Sequence, residues 1–226
     1  MQQISLEEIY LNELNNENDW DELSSEYELS ENIIEEFADK VDWDYISVYQ
    51  KLSNDFIEKY HNNIDWYTIS YKLNLSEEFI DKFANKLDWY YISMKQKLSE
   101  SFIKKYKDKV YWKIISEFQN LSEGFIKEFQ NNLNWDKICL YQKLSERFIE
   151  EFKDRINWKY ISKAQKLSES FIEKHKYRLD WYLINQSQML SKKFKEKHRN
   201  RINEAIENKY RDVSNFKTHF KNYLQE

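Results

Sequence analysis

Apolar positions along this chain follow two alternating helical spacings. In the stretch beginning at Trp43, WDYISVYQKLSNDFIEKYHNNID, apolar or neutral residues fall at Trp43, Ile46, Ser47 and Gln50, the i, i+3, i+4, i+7 face of a helix. A second set follows at Phe56, Ile57, Tyr60 and Ile64, separated from the first by Lys51-Leu52-Ser53. The spacing predicts two short antiparallel helices, A over about 43–51 and B over about 54–64, joined by a tight turn.

The pattern then recurs. Tryptophan stands at 20, 43, 66, 89, 112, 135, 158 and 181, each 23 residues after the last, and nowhere else. A period in this range marks stacked supersecondary units. Ile46, Leu52 and Phe56 have equivalents through the array, whereas the LxxLxL strand of leucine-rich repeats is absent. The apolar set of one unit is too small to offset the entropy of ordering 23 residues, so each unit must bury its faces on its neighbours. The expected fold class is therefore all-α, an α-solenoid of eight two-helix repeats over 20–203. A capping half-repeat is expected over 1–19, where Leu6, Tyr10, Leu11 and Leu14 match helix B. Glu204 replaces the next tryptophan, and Ile206, Tyr210, Val213, Phe216, Phe220 and Leu224 stripe a long helix expected to cap the last unit over 204–226.

Helix starts support this division. Ser53 and its equivalents Ser30, Ser76, Ser99, Ser122, Ser145, Ser168 and Ser191 precede helix B, and Asp or Asn precedes helix A, with Tyr111 the exception. Such side chains accept the orphan amides of a first turn, which explains recurrent serines without invoking phosphorylation or nucleophilic chemistry. Pro is absent and Gly124 is the single glycine, so no flexible linker is expected.

The motif DW-x-x-IS-x-x-Q-x-LSE-x-FI, clearest as DWYYISMKQKLSESFI over 88–103, resembles tandem repeats in uncharacterised proteins of large DNA viruses and some phages. The resemblance covers residues 20–203 and implies a helical repeat scaffold of viral origin, with no catalytic residue to carry over. The first unit (Leu23, Tyr27, Ile33) and the eighth (Asn185, Lys195) depart most, as terminal units do.

Composition narrows the setting. The first residues show neither a basic region nor an apolar run, so no signal peptide is expected, and no stretch is long and apolar enough for a membrane span. A single cysteine suits a reducing compartment, and the expected location is the cytosol, that of the host for a viral protein. Net charge is −5 but unevenly spread: 14 acids stand against Lys40 in 1–42, and 10 Lys or Arg against 5 acids in 181–226.

Candidate chemistry is sparse. Gln50, Gln96, Gln119, Gln142, Gln165 and Gln188 share one core-side position and are expected to satisfy backbone groups at an A–B turn rather than to read a ligand. Cys139 takes a place held elsewhere by serine, and no His or Asp partner marks it as a nucleophile. His175 and His198 replace an aromatic ring and lie one repeat apart; further metal ligands at recognisable spacing are lacking. No phosphate loop, HExxH or CxxC pair occurs. The chain is read as non-enzymatic, with no cofactor and no metal.

Function is expected where the repeats vary. Helix B varies among ordinary wet residues, but helix A carries Tyr45, Tyr49, Tyr67, Tyr71, Tyr90, Tyr91, Phe118, Tyr141, Tyr160 and Tyr182, with Met94 and Leu140. Exposed tyrosine suits an interface, because its ring buries while its hydroxyl still bonds. The rival reading is that successive A helices bury these rings on each other. Three function classes follow: a scaffold binding a protein partner, an assembly joined through its acidic and basic ends, or nucleic-acid binding through Lys192, Lys193, Lys195, Lys197, Arg199 and Arg201. The first is preferred, and the negative net charge ranks nucleic acid third.

Overall fold

A computed structural model of the chain describes residues 2–3 and 20–223, with side chains from 20 to 211 apart from that of Glu22. The expectations for Leu6, Tyr10, Leu11 and Leu14, and for Val213, Phe216, Phe220 and Leu224, concern side chains outside the described residues. Each repeat holds the two expected helices, and the fold is an all-α solenoid. Helix A opens on its tryptophan and spans seven residues: Trp20–Glu26, Trp43–Tyr49, Trp66–Lys72, Trp89–Lys95, Trp112–Phe118, Trp135–Tyr141, Trp158–Ala164 and Trp181–Ser187. Helix B spans six: Glu31–Glu36, Asn54–Lys59, Glu77–Lys82, Glu100–Lys105, Glu123–Glu128, Glu146–Glu151, Glu169–Lys174 and Lys192–Lys197. Among the described residues, strand is confined to Gln2–Gln3, paired in parallel with Tyr27–Glu28. The chain falls into two compact units, Met1–Tyr111 and Trp112–Glu226.

Both helices are shorter than the spacing predicts, and the backbone shows why. Gln50 leaves the helix for extended geometry (φ −89°, ψ 156°), so Leu52 lies in a connector. Helix B stops at Tyr60, whose carbonyl accepts the amides of both Asn63 and Ile64. That turn tucks Ile64 into the core, and Trp66 Nε1 clamps it by donating to His61 O at 2.9 Å. Periodicity counted Ile64 as helical because a residue buried by a turn and one buried by a helix look alike in sequence.

The expected caps are present. All eight serines before helix B accept the third following amide, as Ser53 Oγ does from Phe56 N at 3.2 Å. Asp42, Asp65, Asp88, Asn134, Asn157 and Asp180 cap their A helices in the same way.

The core lies between the rows of A and B helices, where Ile46, Ile57, Ile138 and Ile149 are fully buried. Polar side chains set the register between repeats. Gln142 Nε2 donates to Ser116 O and Gln119 O at 3.0 and 2.8 Å, while its Oε1 accepts Leu121 N at 3.0 Å. The glutamine thus satisfies the A–B turn of the preceding repeat, and Gln50, Gln96 and Gln165 do likewise. Where Leu73 stands in place of glutamine, Lys72 Nζ reaches back to Val48 O and Gln50 O instead. Burial lowers the pKa of that amine. The serine of helix A works in both directions: Ser47 Oγ donates to Trp43 O and accepts Asp65 N of the following repeat.

The final helix runs Arg199–Tyr223, beginning before the expected 204. Without a tryptophan to clamp the turn, the chain passes almost directly from helix B into this helix. Ile202, Ala205 and Ile206 pack on the core beside Trp181 and Phe194. Tyr210 does not contribute to that cover; it is 70% exposed.

Candidate partner-binding face

Helix A has a fixed inner face and a variable outer one. Tryptophan, isoleucine and serine at its first, fourth and fifth positions pack inward, which leaves the second, third, sixth and seventh positions to face outward or half outward. In the first unit those positions are rich in tyrosine. Tyr45 stacks on Tyr49 with ring centroids 5.9 Å apart. Tyr91 receives Tyr67 edge-on at 5.0 Å and Tyr71 at 5.1 Å, and Tyr90 meets Tyr91 and Tyr111 at 5.4 and 5.5 Å. The Tyr67 and Tyr91 hydroxyls share a 2.6 Å hydrogen bond, which with partial burial pushes the Tyr91 phenol up to about 12.

Contact between repeats does not bury this strip. Tyr67 remains 56% exposed and Tyr71 51%, and Tyr45, Tyr49, Tyr90 and Tyr111 are also exposed; Tyr91 is half-buried. Tyr45 and Tyr49 form one stacked pair, and Tyr67, Tyr71, Tyr90, Tyr91 and Tyr111 form a second, edge-to-face cluster; both leave exposed rings on the A face. Tyr111 belongs to it, although sequence reading had set it aside as a missing cap; its position before Trp112 gave no sign that its ring would reach Tyr90.

The second unit differs. Phe118 and Tyr141 are exposed, Tyr160 and Tyr182 half-buried. Lys137 lies over Tyr141 at 5.3 Å while pairing with Glu117 at 2.7 Å, and Lys209 lies over Tyr182 at 5.9 Å. Tyr182 lines an open cleft of about 460 Å³ against the final helix, together with Lys159, Asp180, Arg201 and Asn208. The basic set at this end is partly engaged: Lys197 pairs with Glu173 at 2.9 Å, and Arg201 covers Tyr177 and Trp181. Lys192, Lys193, Lys195 and Arg199 are exposed.

Helix B spends its outward charges along the stack. Lys59 pairs with Glu35, Lys82 with Glu58, Lys105 with Asp81, Lys127 with Glu151 and Lys174 with Glu150, each across a repeat boundary. Sequence reading missed that His175 and His198 belong to this system. Both are buried beneath Trp158 and Trp181, with Nε2 2.7 Å from Glu150 and Glu173 respectively. Tyr106 makes the equivalent bond to Asp81. The available signal was an acid 25 residues before each polar-tipped ring. Lys176, Lys197 and His198 hold the Glu173 carboxylate down at about 2.

The remaining candidates have structural surroundings. Cys139 is fully buried, its thiol pushed up to about 11 by that burial. Among the described residues, no group of three or more His, Cys, Asp or Glu could hold a metal ion, and no helix is long and apolar enough to cross a membrane. Comparison with family models, curated proteins and solved structures gave no match for this chain.

Proposed function

We propose that the chain is a non-enzymatic scaffold whose A-helix face, above all the tyrosine strip of the first unit, holds a protein partner. The observation that carries this reading is the exposed, mutually braced set Tyr45, Tyr49, Tyr67, Tyr71, Tyr90 and Tyr111. Rings already held by their neighbours lose little freedom on binding, and tyrosine contributes both apolar area and a hydroxyl. The B helices offer less, since their charges are paired along the stack. The resemblance to viral repeat proteins points the reading toward a viral factor that engages a host protein in the cytosol.

A second reading is self-assembly between the acidic N-terminal and basic C-terminal ends, favoured by the exposed Lys192, Lys193 and Lys195. Such a head-to-tail contact would propagate and dissolve in salt. The test is an affinity pull-down of the full chain with nuclease present, beside a bait carrying Tyr45→Ala, Tyr67→Ala and Tyr91→Ala. Partner binding predicts a nuclease-resistant protein retained by the native bait and lost from the variant. Recovery of the chain alone would favour assembly, and loss of all captured material on nuclease treatment would favour nucleic acid.

A further inference from the structure

We infer that the occupant of the first unit's tyrosine strip is an extended, arginine-bearing segment of the partner; this rests on the reading of the strip as a binding face. The molecule covers many of its own rings with cations. Lys86 lies over Trp66 at 5.6 Å, Lys109 over Trp89 at 5.8 Å, Arg155 over Trp135 and Arg178 over Trp158 at 5.5 Å, each cation coming from the turn that closes the same repeat. The A face of the second unit follows suit, with Lys137 over Tyr141 and Lys209 over Tyr182. On the first unit's strip, Tyr71 has Lys95 at 4.8 Å. Among the described residues, no cation covers the exposed rings of Tyr45, Tyr49, Tyr67, Tyr90 and Tyr111. The negative faces of these rings are open to a cation from outside.

Charge points the same way. The first unit's A helices and the caps before Trp43, Trp66 and Trp89 carry seven carboxylates against two lysines, and the second unit's equivalents, from Tyr111 onward, three against four. One of the first unit's lysines, Lys72, is turned away onto the carbonyls of Val48 and Gln50. Capping does not require this charge, because Asn134 and Asn157 cap the same position in the second unit. Asp42 and Asp88 cap through Oδ1, which leaves Oδ2 without a hydrogen bond among the described residues, and Asp44 is exposed beside Tyr45.

Rings interleaved with carboxylates favour arginine over lysine, because a planar guanidinium stacks on a ring while its fork pairs with a carboxylate. Helices pack ~8–10 Å apart and an extended chain advances ~3.3 Å per residue, so arginine at about every third residue would match the repeats. The basic end of a second copy fits less well, since its exposed Lys192, Lys193 and Lys195 lie on a helix. Nucleic acid would meet like charge.

The experiment titrates the full chain, at low salt, into fluorescein-labelled peptides of four Arg-Gly-Ser triplets. Matched Lys and Glu peptides and an uncharged apolar peptide accompany it, and fluorescence anisotropy is read. The arginine peptide is expected to bind, the lysine peptide about threefold or more weaker, and the glutamate peptide not at all. Tyr67→Ala and Asp88→Asn should each weaken arginine binding about threefold, with Asp88→Asn leaving the melting curve unchanged because asparagine caps equally well. Equal arginine and lysine binding that ignores Tyr67→Ala would overturn the inference as non-specific charge attraction. Glutamate or apolar binding lost with Tyr67→Ala would overturn the arginine chemistry while upholding the face. Absence of binding by every peptide overturns it too; a protein partner that still needs Tyr67 in the pull-down would keep the scaffold reading, and no such partner would remove both.

Discussion

A single glutamine side chain closes three backbone valences in the turn of the repeat before it. Replacing Gln142 by Ala strands Ser116 O, Gln119 O and Leu121 N in the core, which should cost about 2–4 kcal/mol. Urea unfolding measures this, and a loss under about 0.5 kcal/mol would mean that water replaces the amide. That a glutamine satisfies an A–B turn was legible from its core-side recurrence. Lys72 standing in beside Leu73 was not, because the substitution is visible only once repeats are stacked in register. Glu173 yields a second prediction. Lys176, Lys197 and His198 depress its folded pKa to about 2 from 4.5, so its contribution to stability is whole above pH 4.5 and lost as pH falls toward 2. The urea midpoint of the native chain should fall faster over that window than that of Glu173→Gln, and the two should converge at its acid end. Parallel curves would show that the cluster contributes nothing. This cluster was not legible in the sequence, because Lys197 and His198 meet Glu173 only from the next repeat.

Six- and seven-residue helices are too short to persist alone, so the repeat, not the helix, is the unit that folds. Removing residues 66–88 should therefore be tolerated. Lys105 would then meet Glu58, and Gln96 would meet the Gln50 carbonyl, the same chemistry as their present partners. Removing only 66–77 breaks the register and should leave the first unit unfolded. Far-UV circular dichroism with thermal melting distinguishes the two; equal melting of both deletions would contradict the stacking account. At this scale the sequence was most informative. Tryptophan spacing and capping residues placed every described helix start within the array, while helix ends were overrun because buried turn residues such as Ile64 mimic helical periodicity. The start of the last helix at Arg199 escaped notice for the complementary reason: a missing tryptophan says that a turn is lost, not where the new helix begins.

Across the whole molecule, two units of like architecture carry unlike A faces, one aromatic and acidic, the other mixed and partly covered by its own lysines. Sequence could list the tyrosines but not decide between packing and exposure, since that depends on how far each ring leans on the next repeat. Both proved true of the first unit. The most direct test of the proposed face places a photo-crosslinking phenylalanine analogue at Tyr67, and in parallel at Ser101 on an exposed position of helix B, then irradiates the full chain in cell lysate. The account predicts a discrete adduct from position 67 and none from position 101. Adducts from position 101 alone, or adducts of the chain with itself from position 67, would contradict it.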